Sequence, residues 1–307
     1  MHCKLWKRVP EIQVGLYHQT AAQKNQKGVA LLLCEADAER IKIMQRKPKV
    51  SIVTACYNSE AYIEACILSV MRQTYENVEH IIVDGGSTDG TLDIIRKYDG
   101  QYNMRWISEK DNGMYDAISK GFAMATGEIF AWLNSDDMYM PWACELVAVV
   151  MGKTGIQWCT GIPCHYNERG IAHNIPRVTP VFPRRWIAKG YMDGRIATFL
   201  EQESMFWSRA LWEQCGSVVR QYQIAGDYHL WKAFAAHQAL YTLDSVVSGF
   251  RIHEGQKSAD REKYYKEVGV LKGYGRFLKA TKLVPMVSLV VSLCARKHRI
   301  RTKQFLC

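Results

Sequence analysis

The chain has 307 residues, of which 48% are hydrophobic and 23% charged, values that are typical of folded globular proteins and exclude a disordered or collagen-like chain. At roughly 100 to 200 residues per domain, this length allows one large domain or two smaller ones. The formal net charge is +10. Most of the excess lies at one end, because nine Lys and Arg residues fall between Lys272 and Lys303, after Glu267, the last acidic residue.

The predicted secondary structure begins after a polar, irregular N-terminal extension, residues 1–47. From Val50 onward, short β-branched runs typical of buried strands alternate with segments whose apolar residues recur at helical spacing. Such alternation needs crossover connections, so it predicts an α/β fold with a mainly parallel sheet flanked by helices. The predicted strands are 50–55, 78–83, 105–107 and 129–133, and the predicted helices are 62–73, 91–98 and 115–125.

The alternation of strands and helices stops at residues 152–200, which contain four of the eight prolines and show no clear periodicity. A stretch of this length without regular elements indicates a functional loop region or a lid. Helical spacing returns at 210–215 and 227–237. We expect one domain over residues 48–258, followed by a basic helical segment over residues 259–307.

The cysteines and the apolar runs bear on localisation. The ten cysteines form no CxxC pair and have no zinc-finger spacing, which indicates reduced, mostly buried thiols in a cytoplasmic protein. The first 30 residues lack the apolar stretch of a signal peptide. The run 283–295 contains Pro285 and is shorter than the roughly 20 residues of a spanning helix. With the nearby cations it predicts at most a peripheral membrane contact through residues 272–303, or else a solvated helix face.

Polar residues cluster where three predicted strands end, at 54–58, 84–90 and 134–137. Each cluster alone is explained by turn formation or helix capping. Ligands of open parallel sheets, however, bind beyond the carboxyl ends of the strands, so three clusters on one edge predict a binding site.

The chemistry of these clusters favours a metal-held nucleotide diphosphate. No GxGxxG follows the first strand and no GxxxxGK[ST] occurs, which excludes the usual dinucleotide and P-loop cradles. The adjacent carboxylates Asp136 and Asp137 suit Mg²⁺ or Mn²⁺, which bind phosphates through their open positions. Asp84 is placed to accept hydrogen bonds from a base or a ribose.

Five segments together resemble family 2 glycosyltransferases of the GT-A fold, in the polysaccharide-biosynthesis branch. They are VSIVTACYN (50–58), IIVDGGSTDGT (81–91), EKDNGMYDA (109–117), ATGE (125–128) and LNSDD (133–137). The resemblance implies a nucleotide-diphosphate sugar donor, with UDP preferred, and a glycan or lipid-linked glycan acceptor. It implies nucleotide contacts by Thr54, Tyr57, Asn58, Asp84, Asp111 and Ser135, and a divalent metal held by Asp136, then Asp137, with Asn134 in place of a first Asp.

The same resemblance extends to the acceptor side. The segment IAGDYHLW (224–231) resembles the one that supplies the catalytic base, which makes Asp227 the candidate, and a helix start would favour its ionised form. The alternative is that Asp227 only caps the helix. The segment QESMFW (202–207) implies acceptor binding or a base role for Glu203, with Phe206 and Trp207 in the core. The segment FRIHEGQKS (250–258) implies that Arg251 contacts phosphate and that His253 is a late metal ligand.

The mechanism implied is a single displacement with inversion at the anomeric carbon. Three alternatives remain: a sugar nucleotidyltransferase, which lacks here its Gly- and Arg-rich loop; a nucleic-acid-binding protein; and a non-catalytic relative. The basic charge permits nucleic-acid binding, but no recognition module or basic stripe within the domain supports it. We therefore expect no nucleic-acid partner.

Overall fold

The structure is a computed structural model and describes residues 47–176, 179–195, 197–269 and 298–305. The predicted N-terminal extension lies outside the described residues except for Lys47, and so does most of the basic segment. Within the described residues the predicted alternation of strands and helices is confirmed. Its elements are β1 (Val50–Cys56), α1 (Ile63–Met71), β2 (Val78–Asp84), α2 (Thr91–Tyr98), β3 (Met104–Ser108), α3 (Met114–Met124) and β4 (Ile129–Trp132).

The second half of the chain holds more regular structure than its sequence indicates. Its three-residue strands are too short to show a periodicity, which is why residues 152–200 were predicted to be irregular. The elements are β5 (Met138–Tyr139), α4 (Ala143–Thr154), β6 (Trp158–Thr160), β7 (His165–Asn167), β8 (Ala172–Asn174), α5 (Arg184–Ala188), β9 (Met205–Ser208), α6 (Arg209–Cys215), α7 (Gly226–His237), β10 (Tyr241–Leu243), β11 (Ser248–Ile252), α8 (Arg261–Glu267) and β12 (Arg299–Ile300).

The described strands form two sheets. The larger has eight strands in the order β12-β10-β6-β9-β4-β1-β2-β3, and all neighbours are parallel except those of β9. This confirms the predicted mainly parallel sheet. The smaller sheet has the order β5-β11-β7-β8, and it places β11 beside the residues that follow β4.

The core lies on both faces of the large sheet, with most of the buried aromatic side chains in one of its two main clusters. Phe206 and Trp207, predicted to be core residues, are fully buried. Trp207 contacts Trp231 of α7, and Trp158 of β6 stacks on Trp231 as well. The sheet and α7 therefore share one aromatic cluster. The cysteines within the described residues are free and buried, as predicted: Cys56, Cys66, Cys144, Cys159, Cys164 and Cys215.

The buried carboxylate of Glu79 in β2 forms hydrogen bonds with β1 and with the residues that precede β4. Its Oε1 accepts hydrogen bonds from the Ser51 hydroxyl at 2.6 Å, the Thr126 amide at 2.6 Å and the Gly127 amide at 3.1 Å. Its Oε2 lies 2.9 Å from a guanidinium nitrogen of Arg105. Burial alone would raise the pKa of Glu79, but the hydrogen bonds from Ser51 and Thr126 lower it to about 2.

The described part of the basic C-terminal segment, 259–269 and 298–305, contains the helix α8 and a short strand. Arg299 and Ile300 form β12 at the edge of the large sheet, parallel to β10. The Asp244 carboxylate accepts from the Thr302 amide at 2.6 Å and so holds this strand in place. None of the helices in the described part of the chain has the length and apolar character needed to span a bilayer.

Candidate active site

A cavity of about 1200 Å³ opens at the carboxyl ends of β1, β2 and β4, where the sequence predicts a site. Its wall also includes the start of α7, the end of β11 and one face of α8. Of the predicted site residues, those that line the cavity are Tyr57, Asn58, Asp111, Ser135, Asp136, Glu203, Asp227 and His253. Thr54, Asp84, Asp137 and Arg251 do not line it.

Asp136 and His253 form the pair best suited to hold a metal ion. The Nε2 atom of His253 lies 2.9 Å from Oδ2 of Asp136. Its Nδ1 donates to the carbonyl oxygen of Glu254 at 2.7 Å, so Nε2 is the nitrogen that faces Asp136 and could coordinate a metal. The Tyr62 ring packs on the imidazole, with centroids 4.4 Å apart. A carboxylate and an imidazole on a cavity wall fit a divalent cation that takes its other ligands from phosphate and water.

No group of three or more His, Cys, Asp or Glu side chains in metal-binding arrangement occurs among the described residues. The second predicted ligand, Asp137, is almost completely buried. Its Oδ1 accepts from the Arg251 amide at 2.9 Å, and its Oδ2 accepts from the Asn134 side chain at 3.2 Å. This corrects the assignment of Asp137, whose oxygens are used to join the segment after β4 to β11.

Arg251 also differs from its predicted role as a phosphate contact. Its guanidinium is buried between the rings of Tyr62 and Tyr166, at 5.0 and 4.7 Å from their centroids. It donates to the carbonyl oxygen of Asp136 at 2.8 Å and to that of Glu168 at 3.0 Å. The arginine therefore holds the backbone of Asp136 in place, and its fork does not face the cavity.

Asp84 is fully buried and its carboxylate is occupied by protein donors. It accepts from the amides of Gly86 and Ser87, both at 3.0 Å, from the Ser108 hydroxyl at 2.7 Å and from the Ser87 hydroxyl. Burial alone would raise its pKa, but these hydrogen bonds hold it below the usual value. The prediction that Asp84 contacts the base is therefore corrected, because the carboxylate orders the 85–88 loop instead.

Thr54 is likewise buried, with its hydroxyl 3.0 Å from Nε2 of His80. The other nitrogen of this imidazole lies 2.7 Å from the Tyr102 hydroxyl. Burial lowers the pKa of His80 to about 3, so the ring is neutral at physiological pH. Thr54 thus contributes to a polar contact inside the sheet, away from the cavity that it was predicted to line.

The remaining nucleotide candidates do reach the cavity. Asp111 uses Oδ1 to accept from the Gly113 amide at 2.8 Å, while Oδ2 lies over Gly85. Asn58 has a left-handed backbone, with φ of 49°, and its side chain accepts from the Thr88 amide at 2.9 Å. The Ser135 hydroxyl lies 2.9 Å from that of Ser59, and the Tyr57 ring is 60% exposed at the rim.

Asp227 lies in the first turn of α7, and the helix begins after Ala225, so the alternative role as N-cap does not apply. Its Oδ1 accepts from the Tyr228 amide at 2.8 Å and lies 3.5 Å from the Tyr115 hydroxyl. The backbone amides at the helix start lower the pKa of Asp227, as expected, but burial outweighs them and raises it to about 6. The carboxylate is nonetheless mostly ionised at neutral pH, with a basicity close to that of an efficient proton acceptor.

Glu203 lies beside the cavity but is almost completely buried. Burial raises its pKa well above the usual value, and the nearby charge of Glu201 adds to the effect. A raised pKa favours the protonated carboxyl group, which can donate a hydrogen bond but cannot take a proton. The geometry therefore fits the acceptor-binding alternative for Glu203 better than the base.

Sequence reasoning missed Tyr115, which organises the start of α7. Its hydroxyl donates to the Ile224 carbonyl at 2.7 Å and accepts from the Gly226 amide at 2.9 Å. A Cβ atom on Gly226 would lie 2.7 Å from the tyrosine ring, so this approach requires glycine. The signal was present in the GMYDA motif, but nothing in the sequence shows that the tyrosine reaches a helix more than 100 residues away.

The fold is that of GT-A glycosyltransferases, as solved structures show. The crystal structure of S. aureus TarS 1–349 in complex with UDP-GlcNAc has a TM-score of 0.55 and 19% identity, and the match covers 71% of this chain and 64% of that chain. The mannosyltransferase PcManGT from Pyrobaculum calidifontis, in complex with GDP-Man and Mn²⁺, has a TM-score of 0.54 and 18% identity, over 90% of this chain and 85% of that one.

The sequence comparisons define the family. Residues 51–209 match the family described as Glycosyl transferase family 2. An uncharacterized glycosyltransferase of Haemophilus influenzae is 36% identical over 225 residues, which are 70% of this chain and 69% of that protein. The chain spans smaller shares, 45%, 34% and 65%, of the length of three other curated relatives. The chain belongs to glycosyl transferase family 2.

Proposed function

We propose that the chain transfers a sugar from a UDP-sugar to a hydroxyl group of a glycan or lipid-linked glycan, with inversion, in cell-surface polysaccharide synthesis. One observation carries the proposal: the Asp136–His253 pair and the Asp227 carboxylate face the same cavity. That cavity, of about 1200 Å³, exceeds the roughly 300–1,000 Å³ of a typical small-molecule site. It therefore has room for a donor and an acceptor together.

The donor side is supported by the residues at the ends of β1 and β2. The exposed Tyr57 ring offers a flat apolar face to a nucleobase, and Oδ2 of Asp111 is placed to accept an N–H from its edge. The similar structures of TarS and PcManGT hold UDP-GlcNAc and GDP-Man, which favours a nucleotide-diphosphate sugar as donor. A carboxylate accepts from either base, so the choice of UDP is the more specific part of the proposal.

Asp136 and His253 would hold the divalent cation, Mg²⁺ or Mn²⁺, as their donor atoms and the orientation of the imidazole support. When bound, such an ion neutralises charge on the phosphates of the leaving nucleotide. Arg251 keeps Asp136 in position through the backbone carbonyl. PcManGT, with Mn²⁺ in its structure, has the same fold.

Asp227 acts as the base on the acceptor side. It accepts the proton of the attacking hydroxyl, whose oxygen forms the new bond to the anomeric carbon as the bond to the nucleotide diphosphate breaks. Attack opposite the leaving group inverts the configuration. Glu203 lines the cavity, its raised pKa favours the protonated form, and it donates a hydrogen bond to the acceptor.

The basic residues between 272 and 303 bring the enzyme to the cytoplasmic face of a membrane, where a lipid-linked acceptor is found. Most of them lie outside the described residues. Replacing Lys272, Arg276 and Lys279 by Gln in the full chain should weaken sedimentation with anionic vesicles and leave weak binding to neutral vesicles unchanged. Equal sedimentation of both proteins with anionic vesicles would refute the membrane contact.

A panel of UDP- and GDP-sugars, incubated with and without Mn²⁺ and scored by release of nucleotide diphosphate, tests the function. We expect release with at least one UDP-sugar, abolished by a chelator and restored by Mn²⁺. With an α-linked donor, NMR of the product should show a β linkage. Release that is unaffected by chelation refutes the metal role, retained configuration refutes the single displacement, and no turnover with any donor refutes the activity.

A further inference from the structure

The start of α7 is held by two side chains from distant parts of the chain. Five successive backbone amides, 223 to 227, donate hydrogen bonds to them. Glu267 accepts from the amides of Gln223, Ile224 and Ala225, at 3.0, 2.9 and 2.8 Å. Tyr115 accepts from the next two, at 2.9 and 3.3 Å. The first amides of a helix need such partners, and Ala225 at the N-cap has no side chain that could supply one.

Glu267 is the last residue of α8. Its carboxylate contacts the backbone of residues 223–225, and its carbonyl group contacts α7. Its carbonyl oxygen lies 3.1 Å from Nε2 of His229, whose ring stacks on Tyr222 at 3.8 Å. Burial alone would raise the pKa of the carboxyl group, but the amides of Ala225, Ile224 and Gln223 hold it below its usual value. Glu267 therefore remains an anion at neutral pH, and an anion is the preferred partner of amides at a helix start.

The helix α8 also packs on the loop that follows α5. The Tyr264 ring contacts Phe199 with centroids 5.8 Å apart, and the Tyr265 hydroxyl donates to the carbonyl oxygen of Asp193 at 3.2 Å. Phe199, Arg261 and Tyr264 all line the cavity. The helix thus forms part of the cavity wall and connects that wall to the loop that carries Asp227.

We propose that Glu267 is a positioning residue for the Asp227 base. It fixes the backbone of residues 223–225, and together with Tyr115 it sets the direction in which the Asp227 carboxylate faces the cavity. The inference rests on the proposed role of Asp227. It places α8 within the catalytic unit, although this helix lies beyond the 51–209 family match and beyond residue 258, the predicted end of the domain.

Kinetics of the full chain with the donor identified above test the role in catalysis. A misplaced base lowers the rate of the chemical step, so Glu267→Ala should lower kcat by about 10- to 100-fold and change KM for the donor by less than about twofold. Glu267→Gln keeps an acceptor oxygen and should lose less. Formate can occupy the vacated amides and should restore part of the kcat of Glu267→Ala only. Glu262→Gln, at an exposed position in the first turn of α8, is the matched control and should behave like the unmodified enzyme.

Hydrogen exchange tests the structural half without any substrate. The peptide that covers residues 223–227 should exchange at least about tenfold faster in Glu267→Ala than in the unmodified chain or in Glu262→Gln. Unchanged exchange there overturns the inference even if no donor is ever found. Faster exchange with an unaltered kcat also overturns it, as does a loss that appears only in KM or that formate does not reverse. If the unmodified chain shows no turnover, the proposed function is refuted. That outcome can be told apart from the outcomes above, which concern Glu267 alone.

Discussion

The two ends of the large sheet hold acids whose pKa values are shifted in opposite directions. At the amino ends, Glu79 accepts from hydroxyls, amides and a guanidinium, and its pKa is lowered to about 2. At the carboxyl ends, Asp227 accepts from the Tyr228 amide and has Tyr115 nearby, and its pKa is raised to about 6. Burial acts in the same direction on both groups, so the difference comes from their surroundings. Glu79 receives more donors and lies beside Lys49 and Arg105, whereas Asp227 receives fewer donors and has the charge of Glu201 nearby.

This contrast separates acids that hold the structure from acids that can react. A carboxylate whose lone pairs are filled by protein donors is a permanent anion, whereas one with few donors can bind a proton or a ligand. Asp84 lies at the functional end of β2, yet by this measure it belongs with Glu79. Position at the rim of the sheet is therefore not sufficient to make an acid functional.

The largest expected effect is on turnover at the reactive end. Asp227→Asn should lower kcat by about a thousandfold, because the amide cannot accept the proton of the acceptor hydroxyl. In the unmodified enzyme, kcat/KM should fall roughly tenfold per pH unit below about 6, as the Asp227 carboxylate becomes protonated and inactive. Both are measured by release of nucleotide diphosphate.

Asp93→Asn is the matched control for this substitution, since Asp93 is an exposed acid on α2 that pairs with Arg96 in the next turn. It should retain full turnover. If Asp227→Asn keeps near-normal turnover while its circular dichroism is unchanged, Asp227 is not the base. The difference in pKa between the two ends of the sheet would then have no bearing on catalysis.

A substitution of Glu79, at the amino ends of the strands, should change stability rather than turnover. Glu79→Gln places an amide N–H against Arg105 and removes a buried anion, and it should lower the free energy of unfolding by about 2–4 kcal/mol. Urea denaturation measures this loss. The folded fraction should keep its kcat. Glu64→Gln, which breaks an exposed contact with Lys97, should have a much smaller effect, and equal losses in the two variants would contradict the structural role.

The sequence predicts the first half of the fold well because β1 to β4 and α1 to α3 are long enough to show their periods. It predicts Asp136, His253, Asp111 and Asp227 at the cavity through motif resemblance. It does not predict β6, β7 or β8, each three residues long, because their pairing is decided by tertiary contacts.

The errors at the site have one physical origin. Asp84, Asp137 and Arg251 are the right residue types in the right motifs, but protein groups already occupy them. The loop that follows Asp84 fills its carboxylate, and distant backbone groups bind Asp137 and Arg251. Glu267 and Tyr115 were overlooked for the same reason. A motif gives the position of a side chain along the chain, whereas its function depends on how many partners the fold brings to it.

A pH-dependent contribution to stability is expected from His80, between the two ends. The folded state holds this ring neutral with a pKa of about 3, while the unfolded chain binds a proton near 6.5. Stability should therefore be full above 6.5 and be lost as the pH falls towards 3, at up to about 1.4 kcal/mol per pH unit. His80→Gln should flatten this slope in urea denaturation. His237→Gln, at an exposed position, should leave it unchanged, and equal slopes for both variants would contradict the assignment.

The smallest expected effect is at Gly85, which has no side chain and so leaves room for the Asp111 carboxylate. A Cβ atom at Gly85 would lie 2.7 Å from Oδ2 of Asp111, and the carboxylate cannot turn away without losing the Gly113 amide at 2.8 Å. Gly85→Ala should weaken UDP binding by about tenfold in calorimetry, at nearly unchanged stability. If the methyl group acts only through Asp111, adding it to Asp111→Ala should cause no further loss, since the two substitutions disturb one contact. Additive losses would mean that Gly85 itself contacts the nucleotide and that Asp111 is not the group that reads the base.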